Sequence, residues 1–568
     1  MTTRLLLPLL LLTLPGAGTH AQTKGLPDAV PRVAVVRSPA WASPPKLVVG
    51  IVVDQMRADH LLRFWDNFGE GGFKRLVGQG ACLRDAHYPY AQTNTGPGHA
   101  SIYTGTTPSD HGIVANDMYF RARKALVNCV QDDAVTGVGG GGPRSRRSPV
   151  NLYASTLADE LERRTEGRSR TIGVAMKDRG AILPIGRTGD AAYWFFGQAD
   201  GAFGTSTWYM DSLPQWMRDF NARGLVQEHL RGTWAPLLPR ARYHSALPDD
   251  NPYEQPLPGT TTPTLPVDLA RAFANSNGDM EVLLRTPGSL AITTALALAA
   301  VEGEGLGQDA VPDLLAVSYS ATDELGHEMG VRALELEDMY LRLDRELERL
   351  LQELDRRVGV GAYTLFLTAD HAAVDVPAFL ADRRASAGYV DAGALVDSVQ
   401  ARLTERYGPG RWVLRRVKEQ LFLNDSLIQA RGLEPMKVQR TAADAVRLFP
   451  GVAEAHATAD LLRGSLPSER AAMVLRGLMP ERSGDVCIVL RPGHLLSRGG
   501  APQRGTDHGT PWTYDTHVPL LFFGKGIRPG EVLRRVPITD IAPTIAMLLG
   551  TALPDACSGQ PVPEVLAP

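Results

Sequence analysis

Six short apolar runs punctuate the chain: Leu47–Val53, Thr171–Met176, Leu314–Tyr319, Tyr363–Thr368, Val486–Leu490 and Val518–Phe523. Each is continuous rather than alternating and rich in Val, Ile, Leu and Phe, the pattern of a strand buried on both faces of a parallel sheet. Stretches with helical spacing lie between them. In the clearest, Leu336, Tyr340, Leu343, Leu347, Leu350 and Leu354 recur at steps of four and three through a highly charged segment. The stripe falls short of three heptads, so it predicts an amphipathic helix packed on a sheet rather than a coiled coil. Strand and helix in alternation predict an α/β fold, with a mostly parallel central sheet sandwiched by helices.

Two long segments break the alternation. Residues 191–288 are rich in Trp, Tyr, Phe, Pro and Gly, and residues 381–478 are charged and largely helical in pattern. Both read as cap subdomains inserted into one catalytic core. The run Gly137–Pro143, followed by Arg144, Arg146 and Arg147, lacks the Gly-Lys-Ser/Thr ending of a phosphate-binding P-loop and reads as a flexible surface linker. No repeat of 20–50 residues is present.

Composition narrows the class. At 568 residues the chain is several times the usual domain length of about 150. Its 44% hydrophobic and 21% charged content is that of a globular protein. A net charge of −3 gives no global basic field, so nucleic-acid binding is not expected. Met1–Ala21 has the form of a secretory signal peptide: Arg4, an apolar run Leu5–Leu14 too short to span a bilayer, then Thr19-His20-Ala21 as a cleavage site. The mature chain is therefore expected to be secreted or periplasmic, without a membrane anchor, and a monomer. Export permits disulfides among Cys82, Cys129, Cys487 and Cys557. Cys82–Cys129 is the preferred pairing, because both flank the same candidate site segment.

The chemistry lies where acids and histidines fall relative to the strands. Leu47–Val53 runs directly into Asp54, Leu314–Tyr319 is followed by Asp323 and His327, and Tyr363–Thr368 by Asp370 and His371. In an open parallel sheet the C-terminal strand ends line the binding crevice. One Asp after one strand is commonly a helix N-cap. Recurrence at three strand ends, with Asp507-His508-Gly509 further on, points instead to a metal centre with mixed N and O ligands, which suits zinc. A second feature is Thr93–Ala100, TNTGPGHA, where Pro97 marks a helix start and sets Thr95 at its N-terminus, either as a cap or as a nucleophile beside the metals.

The segments VDQMRAD, TNTGPGHASIYTG, HGIVANDMY, KDRGA, SATDELGHEMG, TADHA, GTDHG and TDIAPT together resemble the alkaline phosphatase superfamily, more narrowly the PafA-type bacterial alkaline phosphatases with a threonine nucleophile. The matches run in order from Val53 to Thr544. The resemblance implies hydrolysis of small phosphate monoesters with two zinc ions. It assigns Asp323, His327 and His508 to one zinc, and Asp54, Asp370 and His371 to the other, with Thr95 as nucleophile and open-position ligand. His517 is an alternative to His508. Asn116, Lys177 and Arg179 match the residues that hold the phosphoryl group in the family, and His99 and His111 are left as structural. Within the superfamily a phosphodiesterase or nucleotide pyrophosphatase is the nearest alternative. In a different class stands an exported protein that uses metals only to bind a ligand.

Overall fold

The structure, a computed structural model, describes residues 43–567 apart from 199, 245 and 498–502; the signal-peptide segment lies outside the described residues. A ten-stranded sheet forms the spine. Its strands in chain order are β1 (Leu47–Val53), β2 (Ala81–His87), β3 (Gly137–Val138), β4 (Thr171–Ala175), β5 (Ala191–Phe195), β6 (Phe203–Ser206), β7 (Asp313–Tyr319), β8 (Tyr363–Thr368), β9 (His517–Gly524) and β10 (Gly530–Pro537). They lie in the order β10-β2-β9-β8-β1-β7-β4-β5-β6-β3. The block β8-β1-β7-β4-β5 is parallel throughout. Every residue of β1, β7 and β8 is buried, as their unbroken apolar runs require.

Helices cover the sheet. Those used below are α1 (Thr95–Thr104), α2 (Asp178–Ile185), α3 (Ala321–Met329) and α4 (Leu334–Leu354). In α4 all six residues of the apolar stripe are buried, which bears out the amphipathic reading. Among the described residues no helix is long and apolar enough to cross a membrane.

Three expectations are corrected. Val518–Phe523 lies in the main sheet but runs antiparallel to both neighbours, β8 and β2. Val486–Leu490 belongs to a different sheet of four strands, ordered Val413–Val417, Gln420–Leu423, Val486–Leu490 and Val452–Ala457. There Val486, Ile488 and Leu490 pack into one apolar cluster with Leu395, Trp412 and Val438, while Cys487 and Val489 join another with Met473 and Val474. A continuous apolar run reports burial on both faces, and this small covered sheet supplies it without being parallel. The segment 381–478 is mostly helical in its regular elements, as read, and in addition contributes three strands of this sheet, which has its own core. The residues from 191 open with β5 and β6, which extend the main sheet.

The cysteine pairing is also corrected: all four thiols are free. Cys82 sits near the start of β2, which runs in the same direction as β8, so it lies towards the sheet edge opposite the strand C-termini. Cys129 is at the other edge, its N–H donating to Asn116 O and its Sγ standing close to Gly96. The Gly137–Pro143 run is exposed over its glycine tip, but Gly137–Val138 pairs with β6 as an edge strand.

Helix α1 is buried along its whole length. It approaches the end of β8 so closely that a Cβ on Gly98 would stand 2.2 Å from Asp370 O. Gly98→Ala is therefore expected to destabilise the fold by about 1–3 kcal/mol, the range for overpacking. Gly78, exposed in the helix Phe73–Gln79 with nothing within 4 Å of an added Cβ, gives the contrast. Gly78→Ala should stabilise by roughly 0.5–1 kcal/mol. Denaturant midpoints of both variants check this; a Gly98→Ala protein as stable as wild type would mean that α1 has room to move.

Candidate active site

Strand register brings the acids together. Val52 pairs with Thr368 and Val53 with Tyr319, so β8, β1 and β7 end side by side. Asp54 continues the ladder, its N–H donating to Tyr319 O at 3.0 Å. Asp370 and His371 leave β8 at the same level, Asp323 sits in the first turn of α3 after β7, and Lys177 follows β4. This is the C-terminal edge of the parallel block, where crevices form in such sheets.

The expected donors form two adjoining groups. In one, Asp54, Asp370 and His371 present ligand atoms within 4.8 Å of one another. His371 Nε2 is 3.4 Å from Asp54 Oδ1 and 3.7 Å from Asp370 Oδ2. In the other, Asp323 Oδ1 is 3.2 Å from His327 Nε2 and 3.7 Å from His508 Nε2. The groups touch where His371 and His508 stack, with centroids 3.5 Å apart.

Each histidine is oriented through its other nitrogen. Nδ1 of His327 donates to Thr506 O, that of His371 to Ala372 O and that of His508 to Thr93 O. A carbonyl can only accept, so the proton is fixed on Nδ1 and each Nε2 keeps its lone pair towards the carboxylates. Asp370 Oδ1 accepts from the backbone N–H groups of Gln55 and His371, leaving Oδ2 to face the site. Asp54 Oδ1, Asp370 Oδ2 and His371 Nε2 are buried and have no hydrogen-bond partner. Buried polar atoms are ordinarily satisfied. Three orphans from Asp and His, facing one another, fit a divalent cation with N and O ligands.

The electrostatics agree. Burial pushes the Asp54 carboxyl up to about 8, with Asp323 and Asp370 adding repulsion. Burial likewise raises Asp370 to about 6, with Asp323 contributing. Burial lowers His371, and lowers His508 well below its ordinary value with His371 adding to the effect, so both stay neutral. Burial also opposes ionisation of Asp323, but His327 and Lys177 outweigh it and hold that carboxyl well below the usual range. The Lys177 ammonium stands between the groups, 2.8 Å from Asp54 Oδ2 and in contact with Asp323. Burial disfavours its charge, yet Asp323 and Asp54 keep it charged above its ordinary value.

The remaining expected residues gather at the same place. Thr95 opens α1 and is 1% exposed. The segment leading to it is tied to both groups: His508 bonds Thr93 O, and His99 Nδ1 lies 2.9 Å from Thr95 O and 3.5 Å from Asp370 Oδ2. Asn116 Oδ1 accepts from the Gly96 N–H at 2.7 Å, beside Thr95. Arg179, at the start of α2, has its Nε buried without a hydrogen bond. Asp178, between Lys177 and Arg179, pairs with Arg147 at 2.6 Å and also lies 3.7 Å from Arg179 Nη1.

His517 is not part of this assembly. It opens β9 but turns away from β8, stacking on His87 and donating from Nε2 to Arg84 O of β2. Two participants escape the sequence reading. Gln55 spans both groups, its N–H on Asp370 Oδ1 and its Nε2 donating to Asp323 Oδ1 at 2.6 Å, from a backbone with φ of 65°. Glu324 lies 3.5 Å from Lys177. The only available signal for either was adjacency to Asp54 or Asp323.

Comparison with known proteins follows the same line. Residues 48–515 match the family described as type I phosphodiesterase / nucleotide pyrophosphatase. A Myroides odoratus protein named calcium-transporting ATPase is 39% identical over 92% of this chain and 95% of its own. Alkaline phosphatase PafA of Elizabethkingia meningoseptica is 36% identical over 92% of this chain and 94% of its own. Alkaline phosphatase PhoV of Synechococcus elongatus is 37% identical over 93% and 94%. The wild-type PafA crystal structure superposes with a TM-score of 0.88 at 35% identity, covering 92% of this chain and 99% of that one.

The geometry separates two histidines that the sequence leaves open. His508→Ala is expected to weaken divalent-metal binding at least about tenfold, since losing even an outer-shell partner costs that much. His517→Ala should leave it unchanged. Competition with a chromophoric chelator measures both, and the reverse order would transfer the role to His517.

Proposed function

The chain belongs to the type I phosphodiesterase / nucleotide pyrophosphatase family, in the alkaline phosphatase superfamily, and is a phosphatase acting on phosphate monoesters; from that membership and the geometry above we propose that it works with two zinc ions and a phosphothreonine intermediate, releasing inorganic phosphate. The observation that carries this reading is the pair of adjoining Asp/His groups beside the start of α1, with three buried donor atoms unpartnered. In this reading Asp323, His327 and His508 hold one zinc and Asp54, Asp370, His371 and the Thr95 hydroxyl the other, the pair supplying Lewis-acid charge when bound.

The chain's own groups do the rest. Thr95 Oγ attacks phosphorus in line with the departing ester oxygen, and its proton leaves as the phosphothreonine forms. Water then attacks the phosphothreonine from the vacated side, inorganic phosphate departs and Thr95 regains its proton. Asn116, held against Gly96, positions the phosphoryl group beside the nucleophile. Lys177 and Arg179 offset the charge on the non-bridging oxygens, Arg179 with an uncommitted Nε and a planar fork suited to phosphate. The signal-peptide form of Met1–Ala21 supports a secreted or periplasmic location for this activity.

Two measurements test the reading. Metal analysis of active protein should give two zinc ions per chain, and Thr95→Ala should abolish the acid-stable phosphoenzyme and most turnover while retaining metal. Thr95→Ser should keep part of the activity. Near-normal turnover in Thr95→Ala would reduce Thr95 to a helix-start residue.

The choice between monoester and diester turns on the cation pair. A monoester dianion carries more charge on its non-bridging oxygens than a diester. Removing Lys177 and Arg179 should therefore slow a monoester more than a matched diester. A charge-assisted contact is worth about 1.5–3 kcal/mol, about one to two decades in kcat/KM. The effects need not add, because both side chains serve one phosphoryl group. Equal slowing of both substrates in the Lys177→Ala/Arg179→Ala variant would show that the pair does not discriminate.

A further inference from the structure

Beside the Asp323–His327 group opens a cavity of about 560 Å³, and its far wall is built by the inserted sheet. His327 and Glu324 form its inner side, Arg285 and Arg416 its cationic side, and Leu495 and Leu496 an apolar patch. The turn between Val413–Val417 and Gln420–Leu423 carries the insertion to this place. It is fixed there by Gln420 Nε2, which hydrogen-bonds Gln92 Oε1, and by Lys418, which pairs with Asp507 at 3.3 Å next to His508.

Most charges along this wall are answered. Arg285 approaches Glu324 and Glu328, each at 3.5 Å, although its buried Nε makes no hydrogen bond. Arg416 is different. Arg416 is half-buried in the wall, and among the described residues its guanidinium makes one hydrogen bond, from Nη1 to Lys418 O at 2.8 Å. No carboxylate among the described residues forms an ion pair with it, although the buried Glu419 carboxyl in the same cavity feels its charge. A guanidinium presents five donors in a fixed fork. Holding one beside an apolar patch with most of that fork unused leaves it ready for an anion brought by a ligand.

Resting on the phosphatase reading above, we propose that this cavity is the leaving-group subsite and that Arg416 selects monoesters whose alcohol carries a second anionic group, a carboxylate or another phosphate. The phosphoryl group sits over the metal donors with Thr95 on one side. The ester oxygen departs on the other, towards Asp323 and His327, and His327 is the residue shared between that donor group and the cavity. The body of the alcohol then lies against Leu495 and Leu496, with its anion at Arg416. Specificity for the alcohol is thereby assigned to the inserted sheet, and phosphoryl transfer to the main one.

The test compares phenyl phosphate with 4-(carboxymethyl)phenyl phosphate on zinc-loaded, full-length protein. The readout is the ratio of kcat/KM for the charged ester over the neutral one. Anything that residue 416 does for the shared phosphoryl group, or for folding, cancels in that ratio. Arg416→Ala should lower it about tenfold, the effect of one charge-assisted contact. Arg416→Lys should restore part of it, and Arg416→Glu should push it below the Ala value. A ratio that stays at the wild-type value in all three variants overturns the subsite while leaving the phosphatase reading intact. Wild-type protein that hydrolyses neither ester overturns that reading, and the subsite with it.

Discussion

Three carboxylates, Asp54, Asp323 and Asp370, are buried within reach of one another at the end of three adjacent strands, and that repulsion is the constraint to which the surrounding structure answers. Taking charged groups out of water is affordable only with compensating charge or protonation. Lys177 compensates for part of it by standing between Asp54 and Asp323. One ammonium cannot neutralise three carboxylates, which is why burial still drives Asp54 and Asp370 towards their protonated forms. Divalent cations at the two donor groups would settle the balance, and His371 and His508, neutral and with their protons fixed on Nδ1, are prepared for them.

The fold supplies the rigidity that such a site needs. Parallel strands in register fix the heights of Asp54, Asp323 and Asp370 relative to one another, and the Nδ1 hydrogen bonds fix the ring planes. Helix α1 is pressed against the same edge, with Gly98 over Asp370 and no space for a side chain between them. Gln55 closes the arrangement by holding Asp323 and Asp370 through one residue. Variation is placed elsewhere. The four-stranded sheet has its own apolar core and meets the site through Arg416 and the turn that carries Lys418.

Much of this was legible in the sequence because it follows from local pattern. The unbroken runs at β1 and β8 gave both strand boundaries, and the stripe from Leu336 to Leu354 gave α4. The candidate metal donors were legible because they stand just after strands or in short Asp/His pairs. What a run of apolar residues cannot encode is direction or membership. Val518–Phe523 is buried on both faces whichever way it points, and Val486–Leu490 finds two apolar clusters in a sheet of its own. The Cys82–Cys129 pairing failed because proximity to one motif along the chain placed them near opposite edges of the sheet. Gln55 was invisible because its significance comes from contacts made across hundreds of residues.

The hydrogen bonding around Thr95 also bears on how a threonine could serve as a nucleophile. A serine or threonine hydroxyl is a weak nucleophile until a base takes its proton or nearby positive charge lowers its pKa. His99, one turn along α1, is the obvious base, yet both of its nitrogens are committed. Nδ1 donates to Thr95 O and Nε2 accepts from Ser318 Oγ. Burial also holds its pKa down at about 4, so it has little affinity for another proton. His99 therefore fixes the backbone of Thr95 and does not deprotonate its side chain. What remains near Thr95 is electrostatic: the first turn of α1 and, through His99 beside Asp370, the donor group whose atoms are orphaned. In the proposed reaction such a site would activate Thr95 by charge rather than by a base.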